Sequence, residues 1–267
     1  MNVYLALTRE MNAGRLRAVI SSGQAVVLHR VAIMSKDGDW VLREDNETME
    51  HVLNVLSTHG ARYRYGAPLD VRWLSGGWSS HFEFHEGKLR VRTDFVTRPP
   101  RVSPEGLGRL WREQEGREPP FVPLREAAEI KKTNREKDYA VIGELARLMK
   151  DPSEQLLFSR SARDLTALGE KYPQMVCEKA AERPLLAGIR EGIDSLERAL
   201  DEGKRMLIHA YEKRLGRYMR AAGRWAAAWP SVEREMAGHA LAAAHEIMSR
   251  RAEGVLPFLP EEEDGGV

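Results

Sequence analysis

Two aspartates one residue apart, Asp37 and Asp39, stand just before the apolar run Trp40-Val41-Leu42. Side chains alternate along a strand, so both carboxylates aim at the same side. Like charges held that close are costly unless a cation lies between them. Mg²⁺ suits such a place, because it takes a few carboxylates together with phosphate oxygens. Upstream, Ser21-Ser22-Gly23 leads into Gln24 to His29, which reads as a helix start with Ser21 or Ser22 as N-cap. A helix opening after a glycine turn presents free N–H groups and the positive end of its dipole to an anion. The stretch from Ser22 to Asp39 thus couples an anion cradle to an acidic edge. The plainer reading is a capped helix followed by a solvated Asp-Gly turn.

The surrounding chain reads as alternating helices and strands. Residues 2–12 read as a helix, and Arg17 to Ile20 as a short strand. Asp39 to Arg43 reads as a strand, and Asp45 or Asn46 caps a helix that runs to His59 and stops at Gly60. Leu69 to Leu74 reads as a strand. His81 to His85 and Leu89 to Val96 alternate around Glu86-Gly87 and make a hairpin. In the second arm Arg90, Arg92, Asp94 and Val96 share one face. In the first arm His81, Glu83 and His85 share one side, as a zinc site or as the solvated face of the hairpin.

Residues 97–124 carry six prolines and read as a linker with one helix near Glu105 to Glu113. Leu124 to Met149 reads as one continuous helix. Lys131, Arg135 and Asp138 then fall at i, i+4 and i+7 on one face, flanked by Lys132 and Lys137. Lysine is a point charge for phosphate and arginine a planar fork for it. The rival reading is an exposed helix laced with Glu–Lys pairs.

Taken in order, these residues resemble the nucleotidyltransferase superfamily related to polymerase beta. Its signature is an apolar residue, Gly, then Gly or Ser, a spacer, and Asp-x-Asp on a strand. Gly23, the spacer, Asp37 and Asp39 fit. Gln24 stands where a second Gly or Ser is expected, and Gly38 where an apolar residue is expected. Lys131, Arg135, Lys137 and Asp138 match a Lys, spacer, Arg-x-Lys-Asp segment of bacterial nucleotidyltransferase-like proteins. Those include toxins of type IV abortive-infection toxin–antitoxin systems. The two regions cover roughly the first half of the chain.

The resemblance implies a fold and a chemistry. The fold is α/β: a small mixed sheet with flanking helices over 1–123, then an all-α region over 124–267 whose first helix (124–150) completes the site. The reaction is transfer of an NMP from an NTP to an acceptor, RNA such as tRNA or a protein, with Mg²⁺ or Mn²⁺. Asp37, Asp39 and Asp94 bind metal, Asp94 from a neighbouring strand. Ser22, Gly23, Gln24, Lys36, Lys131, Arg135, Lys137 and Asp138 form the nucleotide site. An antitoxin protein is the implied partner. The alternative is a degenerate site on the same fold that only binds a nucleotide, RNA or a partner, and Gln24 and Gly38 suit that decay.

Composition bounds the rest. A net charge of +1 gives no global field to draw in nucleic acid, so any basic surface must be local. One cysteine, Cys177, excludes an internal disulfide and points to a reducing cytoplasm. The first residues carry Arg9, Arg15 and Arg17 and no signal-like apolar run, and no stretch is long enough to span a bilayer. Past Ser153 the periodicity is helical throughout: 153–170, 173–182, 184–199, 201–228 and 231–252, with breaks at Pro173, Pro184 and Pro230. The longest carries Lys204, Arg205, Lys213, Arg214, Arg217, Arg220 and Arg224, with Tyr211, Tyr218 and Trp225 at heptad spacing. It reads either as a basic face that guides RNA or as a bundle helix with aromatic core positions. Val255 to Pro260 followed by Glu261 to Asp264 reads as a docked or flexible tail.

Overall fold

A computed structural model describes residues 2–261. Helix α1 (Val3–Met11) starts at Asn2, whose side chain accepts the Tyr4 N–H. Strand β1 (Ala18–Ile20) follows, then helix α2 (Ser22–Leu28) and strand β2 (Gly38–Leu42). Helix α3 (Asn46–Thr58) is capped by the Asp45 carboxylate accepting from Thr48 N–H. It ends where Gly60 takes φ 64°, a conformation that favours glycine. Strand β3 (Arg62–Tyr63) and helix α4 (Val71–Leu74) lead to the hairpin of β4 (Ser80–Glu86) and β5 (Leu89–Val96).

The strands form one five-stranded sheet in the order β1-β2-β5-β4-β3. Strand β2 runs parallel to β5, and the other pairs are antiparallel, so the sheet is mixed. That matches the expected α/β class. The hairpin, the β2 strand and α3 fall where the sequence placed them. The run Leu69 to Leu74 does not. It holds a short helix because the Asp70 carboxylate caps it, accepting from Arg72 N–H. The helix turns Trp73 and Leu74 inward, and Trp73 Nε1 donates to the Leu256 carbonyl.

Helix α5 (Pro104–Gln114) begins at Ser103, which caps it in the proline-rich segment. The expected helix over 124–150 is two helices, α6 (Leu124–Ile130) and α7 (Glu136–Leu148). Side-chain hydrogen bonds divert the backbone between them. Thr133 Oγ1 donates to Asp138 and accepts from Arg135 N–H, while Tyr139 Oη donates to the Thr133 carbonyl.

Seven further elements complete the helical region: α8 (Pro152–Phe158), α9 (Ala162–Lys171), α10 (Pro173–Lys179), a 3₁₀ turn (Pro184–Gly188), α11 (Ile193–Ala221), α12 (Gly223–Met236) and α13 (Leu241–Glu253). Pro230 lies inside α12 and does not break it. Trp229 and Val232, buried on either side, hold the helix through the lost backbone bond. The breaks fall instead at Ala222 and after Met236, where Gly238 has φ 80°. Residues 255–260 are docked: Leu256 is buried and the Pro257 carbonyl accepts from Trp78 Nε1. Of the acidic run that follows, Glu262, Glu263 and Asp264 lie outside the described residues. Among the described residues no helix is long and apolar enough to cross a membrane.

The main core runs from Tyr4 to Leu256 and takes residues from both the sheet and the later helices. A smaller cluster, Leu156, Leu165, Leu186 and Leu196 among others, lies under α8 to α11. At the centre Trp40 of β2 stacks on Phe95 of β5 at 5.4 Å, and Phe82 of β4 meets Phe95 edge-on at 5.9 Å. These three rings fix β2, β5 and β4 side by side, from beneath. Phe95→Ala should cost about 3–5 kcal/mol of folding stability, the usual range for removing a fully buried ring. Urea unfolding measures it; a loss under about 1 kcal/mol would mean that the ring stack does not hold the strands together.

Candidate functional site

Parallel pairing of β2 with β5 sets Asp39 directly opposite Asp94. Asp37 precedes β2 by one residue and lies two residues from Asp39, hence toward the same side. Gly38 between them is buried, and a Cβ there would collide with the rings of Trp40 and Tyr4. The departure from an apolar residue at this position therefore has a packing reason: Tyr4 and Trp40 already fill the space.

The segment before Asp37 is tied down by the other unexpected residue. Gln24 is buried, and its Nε2 donates to the carbonyls of Ser35 (3.2 Å) and Asp37 (3.4 Å). Ser35 Oγ donates to the Asp37 carbonyl, and Tyr4 Oη donates to the Lys36 carbonyl at 2.7 Å. Gly23 packs against Ser35 so closely that a Cβ would clash with its hydroxyl. The turn Ser22–Gly23 and the loop that carries Asp37 are thus one unit. Ser22 itself sits at φ 48°, a left-handed backbone that is strained for a serine. The N-cap is Ser21, which makes no side-chain cap bond.

Asp39 is the electrostatic centre. Burial pushes its carboxyl up to about 7, helped first by Asp94 and then by Asp37, while Lys131 and His81 pull the other way. Lys131 ends α6, is buried, and places its Nζ 3.4 Å from Asp138 Oδ1. Arg135 Nε donates to Asp138 Oδ2 at 3.0 Å from the other side. The expected common face of one helix is therefore a turn instead, but Lys131, Arg135 and Asp138 still meet. Lys137 and Lys36 lie exposed.

Two neighbours of Asp94 were not read from the sequence as part of the site. His81 Nδ1 lies 2.6 Å from Asp94 Oδ1, with its Nε2 2.8 Å from Ser79 Oγ. Arg64 Nη1 reaches the same Asp94 oxygen at 3.5 Å. A third group, Arg92, stands 3.8 Å from Asp37. The signal for His81 was present in the hairpin: once Glu86 faces Leu89 across the turn, His81 faces Asp94. Glu83 and His85 do not join them. Glu83 is buried between Arg62 and Arg90, and His85 is exposed, so this face is neither a zinc site nor simple solvated surface.

Asp39 and Asp94 share a register position with Asp37 two residues along the chain, and carboxylates are the ligand type that a hard divalent cation takes. In the arrangement seen, Asp94 and Asp37 face protein cations instead. Among the described residues no group of three or more His, Cys, Asp or Glu side chains is set to hold a metal ion. Carboxylates are the ligand type that Mg²⁺ takes, but His81 and Arg64 hold Asp94 and Arg92 faces Asp37, so a cation would have to displace these groups.

No family model and no curated protein matches the chain. Among solved structures it is similar to one from H. pylori, provisionally described as a nucleotidyltransferase, at 11% identity and a TM-score of 0.36. The alignment covers 78% of this chain and 94% of that one. A likeness this slight transfers nothing from that protein to this one.

The raised carboxyl of Asp39 has a measurable consequence. Its folded form favours the proton, so its contribution to stability is full below about pH 4 and is lost as pH rises through about 7. Asparagine does not ionise and escapes that loss. Asp39→Asn should match the wild type near pH 4 and exceed it at pH 8 by on the order of 2 kcal/mol. Urea unfolding at the two pH values checks this; a variant less stable at pH 8 would show that ionised Asp39 is a well-satisfied structural acid.

Proposed function

We propose that the protein is a nucleotidyltransferase that moves an NMP from an NTP to a hydroxyl acceptor and releases pyrophosphate. The observation that carries this reading is the pairing of Asp39 with Asp94 across parallel strands, with Asp37 two residues from Asp39. Such a cluster is unfavourable in the resting protein and becomes favourable when a cation and a triphosphate occupy it.

Asp37, Asp39 and Asp94 would hold Mg²⁺ or Mn²⁺, which when bound screens the triphosphate and sharpens the α-phosphorus as an electrophile. Every other part falls to the chain's own residues. Lys131, held beside Asp138, offers a positive charge to the phosphates from the end of α6. Arg135 and the exposed Lys36 and Lys137 add charge from solvent, and the backbone of Ser22 and Gly23 lies next to the Asp37 loop. Gln24 keeps that loop in place rather than touching phosphate. The acceptor oxygen bonds to the α-phosphorus as the α–β P–O bond breaks. Pyrophosphate leaves with the bonding pair, and the acceptor's proton passes to Asp94.

The acceptor belongs to RNA, such as tRNA, or to protein. The biological setting that suits the resemblance is a cytoplasmic toxin held in check by an antitoxin protein. The single cysteine, exposed and free, fits a reducing compartment. One observation favours a second reading, a degenerate fold that only binds: His81 and Arg64 already satisfy Asp94.

Radiolabel transfer from α-labelled NTPs to total RNA or protein separates the two. Wild type should transfer label with Mg²⁺ or Mn²⁺, while Asp37→Asn and Asp39→Asn should lose transfer without melting lower. No transfer from any of the four NTPs would leave the binding reading ahead. Lys131→Ala should weaken NTP binding by about tenfold or more, and Lys150→Ala, far out on the surface, should not. Because Lys131→Ala leaves Asp138 with one partner fewer, each variant's NTP-induced thermal shift is compared with its own unliganded melting point. Equal shifts in both variants would remove Lys131 from the phosphate site.

A further inference from the structure

Beside the acids, on the β4 side, lies a cavity of about 330 Å³ that the proposed chemistry has not used. Its walls include Tyr65, Trp78, Tyr211 and Tyr218, and His81 lies at its edge. Through His81 the cavity is one side chain away from Asp94. Tyr65 is 45% exposed although it stands edge-on to Trp229, so part of its ring is left for something else to cover. Aromatic faces of this kind accept another flat ring by stacking.

Among the described residues no aspartate or glutamate lines the cavity, and Arg214 does. The Arg214 guanidinium lies 4.3 Å over the Tyr218 ring and donates to the Gly77 carbonyl at 3.3 Å. Arg217 stands 5.5 Å from the same ring, and its Nε is buried with no hydrogen-bond partner. Arg101 adjoins Pro100, which also lines the cavity, and Arg64 approaches from the Asp94 side. A ligand that suits both sets of groups is flat and uncharged at one end and anionic along the other. A nucleoside with phosphates following it has that form.

The cavity's size limits the choice further. It accommodates one base with its sugar, whereas bases within a duplex are stacked and paired and cannot enter singly. At its inner edge His81 Nε2 already holds a hydroxyl, that of Ser79, at 2.8 Å. A ribose hydroxyl reaching the same position would lie next to Asp94.

We infer that this cavity is the binding site for the terminal nucleoside of a single-stranded nucleic acid, with Tyr65, Tyr211 and Tyr218 stacking on the base and Arg214 and Arg217 meeting the phosphates. The inference deepens the proposed transfer reaction and rests on it only for what happens to the terminus once bound. The RNA-guiding face expected on the long basic helix is thereby narrowed to the few residues of α11 that meet the sheet domain. Trp225 is not among the stacking groups. It is 1% exposed and donates Nε1 to the Gly66 carbonyl, as a core position would.

Binding is measured on the full chain without NTP or divalent metal, using a short single-stranded oligonucleotide whose 3′-terminal base is 2-aminopurine. Its fluorescence should be quenched on binding, with the affinity falling as salt is raised. A blunt duplex of the same sequence should bind about tenfold or more weakly, as should Tyr211→Ala and Tyr65→Ala with the single strand. Lys213→Ala, exposed and outside the cavity, serves as the control and should bind as wild type does. RNA and DNA versions of the probe tell which sugar is preferred. Tyr65 is the second variant because its side chain is partly exposed and its truncation leaves the core intact, and melting curves check both. Absence of quenching, or wild-type affinity in both tyrosine variants, overturns the inference. Label transfer to protein with no oligonucleotide binding overturns it while leaving the transfer reaction intact. Oligonucleotide binding with no label transfer does the reverse.

Discussion

Everything at this site depends on two strands running the same way. Because β2 and β5 are parallel neighbours, Asp39 and Asp94 share a register position and their charges add. The cost is visible in the Asp39 carboxyl, which holds its proton up to about neutrality. The fold meets that cost with partners drawn from separate elements: the Lys131 cation from the end of α6, the Arg64 cation from the segment after β3, and the His81 ring of β4, 2.6 Å from Asp94. Stacked aromatic rings beneath the strands leave the acids no room to move apart. Like charges are concentrated by a rigid apolar support, and that combination is the structural basis for reading the cluster as functional.

The two departures from the resemblance acquire different meanings once packing is seen. Gly38 is set by the rings of Tyr4 and Trp40, and any larger residue would push β2 away from α1. Gln24 exchanges a small residue at the turn for two hydrogen bonds that hold the loop of Asp37. Neither residue removes an acid or opens the sheet. Both alter how the loop is supported, which is where related folds are free to differ.

Much of the sheet was legible because alternation, caps and turn glycines agree with one another. The pairing of Asp94 with His81 could be counted from the hairpin turn, yet the pairing of β2 with β5 could not. That pairing joins residues more than fifty positions apart, with α3, β3, α4 and β4 between them. The helix expected over 153–170 divides into α8 and α9, and that over 184–199 into the 3₁₀ turn and the start of α11; at three further places local patterns misled for a side-chain reason. Asp70 capped a helix where an apolar run suggested a strand. Thr133 and Asp138 broke a helix whose periodicity was unbroken. Pro230 stayed within a helix because buried neighbours held it. Arg64 carried no signal, and Arg92 was legible only as a neighbour of Asp94 on one strand face; only the folded register shows which acid each one meets.

The docking of residues 256 and 257 on α4 and the loop after it has a consequence in time. Trp73 and Trp78 donate to carbonyls 183 and 179 positions further along the chain. On the ribosome, the strands that carry the three acids emerge long before the segment that fixes the cavity wall beside them. An early, half-made molecule therefore holds its charge cluster next to an unfastened Trp73–Trp78 loop. The contacts that close that cavity wall span most of the chain, and loop closure over that length carries an entropy cost. The protein acquires its acids early in synthesis and the shape that surrounds them only near residue 256.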